Sequence, residues 1–464
     1  MLRLRRSLVI LFVPATLALL VWPALWNGYP LLYPDTLDYL GTGRGAWTAL
    51  LSAHHPEFSA VRSAVYAAGI YVFHWNRNPW PILALNAGAI VFTVHLVTRS
   101  LVQRNAWRTT LVILAALSIC TGLSWYTSML MPDIFGASLY LAIYLFAFAH
   151  GTLHPAEQIA LAALAVFGAM AHSSHLLLAM CICTMLWLLW LVSRLLRPSI
   201  TLRARDFGVA TAVVGGAIIL QLGVNHRLYG HASLTGDSAP YLEARILADG
   251  TGERYLREHC AEHPEWVLCH HLDNLPADAD SFLWSESGIW PAASSAEREQ
   301  LRREQAPLIL STFRTYPRQQ ITVSLKNFWD QLNSFELDDF DNNSYMQTYL
   351  NAEIPNARSA YDRSRQARNA MPEIFFTIVQ EIAVITSLLL IVFELPVMLR
   401  RRTVRRNRLL ALTGVIFFVV LANAFISGVL SVVDSRYQAR IIWLIPLLAV
   451  FYLLELPLFV RPVE

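Results

Sequence analysis

The sequence predicts an α-helical polytopic membrane protein, and two observations support this class: an apolar composition and repeated long apolar runs. Hydrophobic residues make up 55% of the 464 residues, charged residues make up only 15%, and the mean hydropathy is +0.42. Soluble domains carry about 25% charged residues. Only helices and closed barrels satisfy their backbone groups within lipid, and runs of about 17–25 apolar residues have the length of membrane-crossing helices.

Ten apolar runs form the predicted spans, so both termini are expected on the same side of the membrane. The first run begins like a signal peptide, but its apolar part is too long and no small-residue cleavage site follows. We therefore interpret it as a retained span. The predicted spans are 7–26, 80–98, 109–124, 134–150, 157–171, 175–193, 207–224, 374–396, 409–430 and 441–460. The apolar stretch 60–75 is too short to span, and we interpret it as a helix lying at the outer surface.

The distribution of arginine predicts the orientation of these spans. The loops on the side of the termini hold 17 arginines, whereas the short loops on the opposite side hold five. Cytoplasmic loops of membrane proteins collect basic residues, and long translocated segments are left out of such a comparison. We therefore expect both termini in the cytoplasm, with the chain in a bacterial inner (plasma) membrane.

The spans divide the chain into three predicted segments. Residues 1–224 form an N-terminal transmembrane module with an outer loop at 27–79, and residues 373–464 form a C-terminal transmembrane module. Between them, 225–372 is predicted to be a mostly helical segment on the outer, periplasmic side. This segment contains 21 of the 33 acidic residues of the chain.

Two of the five cysteines, Cys260 and Cys269, lie in the outer segment. The other three fall in apolar spans, where cysteine behaves as a small buried hydrophobic residue. Because the outer side is oxidising, a disulfide between Cys260 and Cys269 is expected. The alternative is a zinc site with the neighbouring histidines, although the paired spacing typical of such sites is absent. Those histidines are His259, His263, His270 and His271.

Four polar stretches lie at the predicted outer ends of the spans, far apart in sequence but at one depth. Such a surface could combine a carboxylate that accepts a proton with guanidinium groups that hold a phosphate. The candidate residues are Asp35 and Asp38 in "PDTLDYL", Asp133 in "YTSMLMPDIFG", His172 and His175 in "AHSSH", and Arg436, Tyr437 and Arg440 in "VVDSRYQAR".

This pattern resembles the GT-C superfamily of membrane glycosyltransferases. The stretch "YPDTLDYL" is similar to the acidic motif that follows the first span in that family, and "MPDIFGASLYLAIYL" is similar to the Asp motif at the start of the fourth span. The stretch "SRYQARIIWLIPLLAVFYLLE" is similar to a late outer-end motif. The resemblance covers about 1–150 and 430–460. The first motif lacks the adjacent Asp-Glu pair found in the protein mannosyltransferase and aminoarabinose-transferase branches.

The resemblance implies an inverting enzyme that transfers a sugar from a polyprenyl-phosphate donor to a lipid, glycan or protein on the outer face of the membrane. Asp35 would be the general base, with Asp38 as the alternative. Arg436 or Arg440, beside Tyr437, would contact the lipid phosphate, and Asp133 would bind the acceptor or a divalent metal ion. His172 and His175 would be structural or contact the donor. The expected partners are the donor and the bilayer, and no nucleic acid.

Two other classes of function are compatible with a polytopic chain of this kind. A transporter or lipid flippase would carry charged residues near the middle of several spans and broken helices in matched halves. Here Glu381 is such an intramembrane acid, but most acids of the chain lie on the expected outer face. The second alternative is a non-catalytic subunit of a cell-envelope assembly complex, whose outer segment docks a partner.

Overall fold

The computed structural model is helical in the part of the chain that it describes. The described residues are 14–52, 58–102, 105–196, 204–236, 238–342, 344–355, 357–400 and 403–456. No β-strand occurs within these ranges, and their one isolated β-bridge pairs Leu31 with Met129 in parallel.

The helices are numbered here in chain order. The first ten are α1 (Trp22–Asn27), α2 (Pro34–Leu51), α3 (Ala64–His74), α4 (Trp80–Leu101), α5 (Ala106–Cys120), α6 (Leu123–Ser128), α7 (Asp133–Phe148), α8 (Pro155–Ala171), α9 (Ser173–Leu196) and α10 (Ala204–Tyr229). The next six are α11 (Tyr241–Ala248), α12 (Thr251–His259), α13 (Ala279–Trp284), α14 (Ile289–Ala292), α15 (Ser295–Thr315) and α16 (Pro317–Asn333). The remaining helices are α17 (Ser344–Glu353), α18 (Ala357–Tyr361), α19 (Glu373–Arg400), α20 (Val404–Leu430), α21 (Ser435–Ile442) and α22 (Leu444–Leu453).

Within the described residues, six helical segments are long and apolar enough to cross a membrane. They are Trp80–Leu101, Ser173–Leu196, Ala204–Tyr229, Glu373–Arg400, Val404–Leu430 and Ser435–Leu453. The prediction of an α-helical membrane protein is confirmed at this level.

The four other expected spans do not reach this length within the described residues. The helices α5, α7 and α8 contain 15, 16 and 17 residues, whereas about 20 residues are needed to cross the hydrocarbon core. The expected first span, 7–26, is helical over 14–20, and its earlier part lies outside the described residues, as does the end of the last expected span after 456. The stretch interpreted as a surface helix contains α3, which has 11 residues.

Contacts divide the described residues into two compact units. The first contains those of Met1–Gly236, Glu336–Val420 and Ala439–Glu464, and the second contains those of Asp237–Phe335 and Leu421–Gln438. Packing therefore groups the chain differently from the three consecutive segments expected from topology, because 336–372 packs with the first unit.

The helices α2 and α7, which carry candidate acids, each have a proline at or directly before their first residue. Pro34 is the first residue of α2, and Pro132 directly precedes α7. Proline suits a helix start because its φ angle is already helical and its missing N–H would have no partner there. Asp35 and Asp133 lie in the first turns, where the helix dipole favours negative charge. In α2 the Thr36 hydroxyl also accepts the Tyr33 N–H at 3.0 Å.

The second unit has its own apolar core, built from α11 to α15 and the segments between them. The large buried side chains of this core include Trp266, Phe282 and Trp290. Cys260 and Cys269 are joined in a disulfide with their Cα atoms 5.5 Å apart, and both side chains pack against this core.

Two buried glutamates lie close together within the second unit. Glu304 accepts the N–H groups of Val267 and Leu268 at 2.9 and 3.2 Å. Glu243 is fully buried, and burial raises its pKa well above the ordinary range, with the charge of Glu304 acting in the same direction. Burial also raises the pKa of Glu304. Both carboxyl groups are therefore easier to accommodate in the protonated form.

Candidate functional site

The two acidic motifs of the N-terminal half run side by side in the first unit. Leu31 and Met129 form the parallel β-bridge, and the Leu31 N–H donates to the Ser128 carbonyl at 3.0 Å. Asp35 lies four residues after Leu31, and Asp133 lies four residues after Met129. The bridge therefore sets the two helix starts, and the acids in their first turns, in a common register.

A repeated sequence pattern could have predicted this pairing. The chain reads "LYPD" at 32–35 and "LMPD" at 130–133, so the same Leu-X-Pro-Asp pattern precedes both helices. Because proline starts a helix and the residue before it is extended, the pattern predicts two extended-to-helix transitions of one shape.

Arg62 is the basic partner of the first motif. Its Nη2 atom lies 2.5 Å from Oδ1 of Asp35, and its Nε atom lies 3.7 Å from Oδ2 of Asp38. Arg62 lies just before α3, which packs closely against α2. A Cβ atom on Gly43 would lie 2.6 Å from the Ala67 carbonyl oxygen, so the close approach of the two helices requires glycine there. This packing brings the guanidinium between the two carboxylates.

The two carboxylates differ in accessibility and environment. The side chain of Asp35 is 13% exposed, whereas that of Asp38 is 37% exposed. Burial raises the pKa of Asp38, Arg62 lowers it, the charge of Asp35 raises it, and a hydrogen bond from Tyr345 lowers it, with a net increase. Asp38 is thus the acid that combines access from solvent with an increased affinity for a proton.

The helix α17 adds a third carboxylate to this site. A Cβ atom on Gly41, one turn after Asp38, would lie 2.6 Å from Oε2 of Glu353. Burial and the charge of Asp38 both raise the pKa of Glu353. The rings of Tyr345 and Tyr349 pack against each other with centroids 4.7 Å apart, and both side chains are exposed. The site therefore combines the carboxylates of α2 with a carboxylate and two exposed tyrosines on α17.

The second motif is engaged in a buried ion pair. Nη1 of Arg440 lies 3.2 Å from Oδ1 of Asp133, and the two side chains are 1% and 2% exposed. Nη2 of Arg440 donates to the Ser174 hydroxyl at 3.1 Å, and that hydroxyl lies 2.8 Å from Nδ1 of His172. The structure therefore brings together residues of three of the four polar stretches in one internal network.

His175 lies beside this network and is almost fully buried. Its Nδ1 atom is 3.1 Å from the Gly168 carbonyl oxygen. A Cβ atom on Gly136 would lie 2.8 Å from its Nε2 atom. Gly136 therefore provides the space in which the imidazole ring packs against α7.

Arg436 and Tyr437 belong to the second unit. The Arg436 N–H donates to Oδ1 of Asp434 at 2.9 Å, and the guanidinium lies 5.1 Å from the centre of the Tyr437 ring. The side chain of Arg436 is almost completely buried. Arg436 also influences Asp280: its charge lowers the pKa of that carboxyl, although burial raises it more.

The described residues contain no group of three or more histidine, cysteine, aspartate or glutamate side chains arranged to hold a metal ion. The stretch 259–271, where a zinc site was the alternative to the disulfide, lies within these residues. A divalent metal ion bound at Asp133 stays a prediction.

Three residues of the site were missed by sequence reasoning: Arg62, Tyr345 and Glu353. Each reaches the carboxylates through tertiary packing and not through a local motif. Arg62 was counted only as a charge of an outer loop, and 344–353 was part of a segment without an assigned role. The only local indication was the position of Arg62 immediately before an apolar surface helix.

Comparison with known proteins found no matching family model, no similar curated protein and no solved structure with significant likeness. The chemistry of the site must therefore be argued from its geometry. A partly exposed carboxylate with a raised pKa can accept a proton from a substrate hydroxyl. The neighbouring arginine and tyrosine can fix its orientation through hydrogen bonds.

Proposed function

We propose that the chain is a membrane glycosyltransferase that moves a sugar from a polyprenyl-phosphate donor to a hydroxyl of a lipid, glycan or protein acceptor. The observation that carries this proposal is the Asp35–Arg62–Asp38 cluster, in which Arg62 lies closest to the more buried carboxylate, Asp35, and the more accessible carboxylate, Asp38, has a raised pKa. General bases are commonly tuned in this way. The resemblance to GT-C motifs supports the class of donor.

The contacts favour Asp38 as the base and Asp35 as the residue that holds Arg62. In the proposed step, Asp38 accepts the proton of the acceptor hydroxyl, and the acceptor oxygen forms a bond to the anomeric carbon. The bond between that carbon and the phosphate oxygen breaks, and the polyprenyl phosphate leaves with the electron pair. A single displacement of this kind inverts the anomeric configuration.

Binding of the leaving phosphate by Arg436 or Arg440 stays a prediction. Arg440 would have to exchange its contact with Asp133 for the phosphate, because both side chains are buried against each other. Its present contacts support an internal role in holding α7, α9 and α21 together.

The test is sugar transfer by the purified protein in lipid nanodiscs. Polyprenyl-phosphate hexoses and pentoses, radiolabelled in the sugar, are incubated with the protein and membrane lipids or glycans as acceptors. We expect release of polyprenyl phosphate and label in an acceptor for one donor, and neither with the double variant Asp35→Asn/Asp38→Asn. Lack of turnover of every donor by the wild-type protein would contradict the proposal and favour a transporter or an assembly subunit.

The proposed topology has ten spans in a GT-C-like arrangement, both termini in the cytoplasm of a bacterial cell, and 225–372 outside. Its test uses single-cysteine variants of a chain without other free thiols. Ser295→Cys, at an exposed position, should react with a membrane-impermeant maleimide in spheroplasts. Thr403→Cys, also exposed, is the matched control and should react only after lysis. The reverse pattern would contradict this topology.

A further inference from the structure

The loop that precedes α2 is held by the backbone on one side and by a distant side chain on the other. The β-bridge to Met129 fixes the loop at Leu31. At the next residue, the Leu32 N–H donates to Oε1 of Gln366 at 3.1 Å, and Nε2 of Gln366 donates to the Leu32 carbonyl at 2.7 Å. A single glutamine thus satisfies both backbone groups of Leu32, 334 residues away in sequence.

Gln366 is itself fixed in place. It is fully buried, and its backbone N–H donates to Oδ1 of Asn27 at 2.8 Å. The Nδ2 atom of Asn27 donates to the Tyr29 carbonyl at 2.7 Å, and the Arg365 N–H donates to the Asn27 carbonyl at 3.1 Å. The side chains of Asn27 and Gln366 therefore connect the segment 361–368 to both ends of the loop, at Asn27 and at Leu32.

Aromatic contacts strengthen the same attachment. The ring of Tyr29 packs edge-on against that of Tyr361 at 6.1 Å, and the Arg365 guanidinium lies 4.4 Å from the centre of the Trp26 ring. The segment 361–368, here called the clasp, is therefore an integral part of the loop's environment.

We propose that Gln366 is a positioning residue for the Asp35 and Asp38 carboxylates, an inference that rests on the proposed function. Only Tyr33 separates Leu32 from Pro34, whose φ angle is fixed by its ring. The direction of the first turn of α2 is therefore set at Leu32. Misplacement of a reacting group by about 1 Å can cost roughly 100-fold in rate. The two hydrogen bonds at Leu32 therefore affect the rate by setting the position and orientation of the carboxylate that acts as the base.

The substitution Gln366→Glu distinguishes the two hydrogen bonds, because it keeps one and removes the other. A glutamate carboxylate can accept the Leu32 N–H, but it cannot donate to the Leu32 carbonyl unless it is protonated. We expect amide exchange of 31–36 to be roughly tenfold or more faster than in the wild type at neutral pH. The ratio to the wild type should fall toward one at acidic pH, when the protonated side chain restores the donor. In Gln366→Ala, amide exchange of the same residues should be faster than in the wild type at every pH.

A matched control is Gln380, a second fully buried glutamine, which accepts the Gly122 N–H at 2.6 Å. Gln380→Ala should leave the exchange of 31–36 unchanged. In the transfer assay, Gln366→Ala should lower kcat by about 10- to 100-fold with little change in KM, and Gln366→Glu should recover activity relative to the wild type as the pH falls.

The outcomes separate this inference from the proposed function. Unchanged exchange of 31–36 in Gln366→Ala would overturn the role of the clasp, whatever the activity. Faster exchange with unaltered kcat would overturn the positioning role while leaving the glycosyltransferase proposal intact. Absence of transfer by the wild-type protein would reject the proposed function, and the positioning role with it, whereas the exchange data would still report whether Gln366 holds the loop.

Discussion

Replacing Asp38 by asparagine should reduce the rate of sugar transfer by roughly 100- to 10,000-fold, the usual contribution of a general base. Asparagine has nearly the same size and can still contact Arg62, but it cannot accept a proton at neutral pH. Donor binding should be largely retained, because the substitution removes an interaction of the reaction step. The measurement is kcat and KM in nanodiscs, together with thermal unfolding to show that the variant is folded.

Asp35→Asn is the matched comparison, since it alters a carboxylate three residues away that is ion-paired to Arg62. If Asp38 is the base, Asp35→Asn should reduce the rate less and should change its pH dependence. The charge of Asp35 raises the pKa of Asp38, and Arg62 lowers it. Removing the Asp35 charge therefore lowers the pKa of Asp38.

The sign of this change can be read from the pH profile. A base is active when deprotonated, so kcat/KM falls as the pH drops below its pKa. In Asp35→Asn this decline should begin at a lower pH than in the wild type. In Arg62→Gln, which removes the cation that lowers the pKa of Asp38, it should begin at a higher pH. Opposite shifts in the two variants would support Asp38 as the base.

Two results would contradict this assignment in different ways. An inactive Asp35→Asn variant beside an active Asp38→Asn variant would make Asp35 the base, as the sequence analysis expected, without changing the proposed reaction. Full activity of both variants would exclude the carboxylate mechanism altogether.

The sequence predicts the helical class and most helix positions because apolar runs and proline-started helices are local signals. The positions of Asp35 and Asp133 follow from such signals: each comes directly after a proline. The partners of these acids could not be predicted in the same way. Arg62, Glu353 and Gln366 reach the site through packing of α3, α17 and the clasp, and no periodicity in the sequence encodes which distant side chain meets which.

Glu353 illustrates why such contacts escape a motif-based prediction. Its carboxylate lies against α2 because Gly41 has no side chain. The informative residue is therefore a glycine within a helix, and in a sequence such a glycine indicates only a less stable helix. Gln366 is a polar residue in an acidic, mostly polar segment, and nothing in its neighbours marks it as buried. The long-range partner of a loop becomes identifiable only when the fold is known.

Replacing Arg440 by alanine is the second change with a large expected effect, and it should destabilise the first unit. Removing one member of a buried ion pair leaves an uncompensated charge and typically costs about 3–5 kcal/mol. Here the Asp133 carboxylate would lose its arginine in surroundings where both side chains are nearly excluded from solvent. The measurement is thermal unfolding in detergent, monitored through the fluorescence of the buried tryptophans.

The matched control is Arg358, which forms an ion pair with Asp362, four residues later in the chain. Both side chains are more than 40% exposed. Arg358→Ala should have little effect on unfolding, because exposed pairs contribute little. Arg440→Lys should recover only part of the loss. An ammonium group cannot reproduce the planar fork that contacts Asp133 and the Ser174 hydroxyl together.

The double variant Asp133→Leu/Arg440→Met separates a structural role from a functional one. Replacing both members of a buried pair by apolar residues of similar size is often neutral or stabilising. If the pair only holds α7 and α21 together, the double variant should unfold like the wild type and retain transfer. A stable but inactive double variant would assign substrate contact to this pair, as the sequence analysis expected. Normal stability of Arg440→Ala with weakened donor binding would instead identify Arg440 as a phosphate ligand.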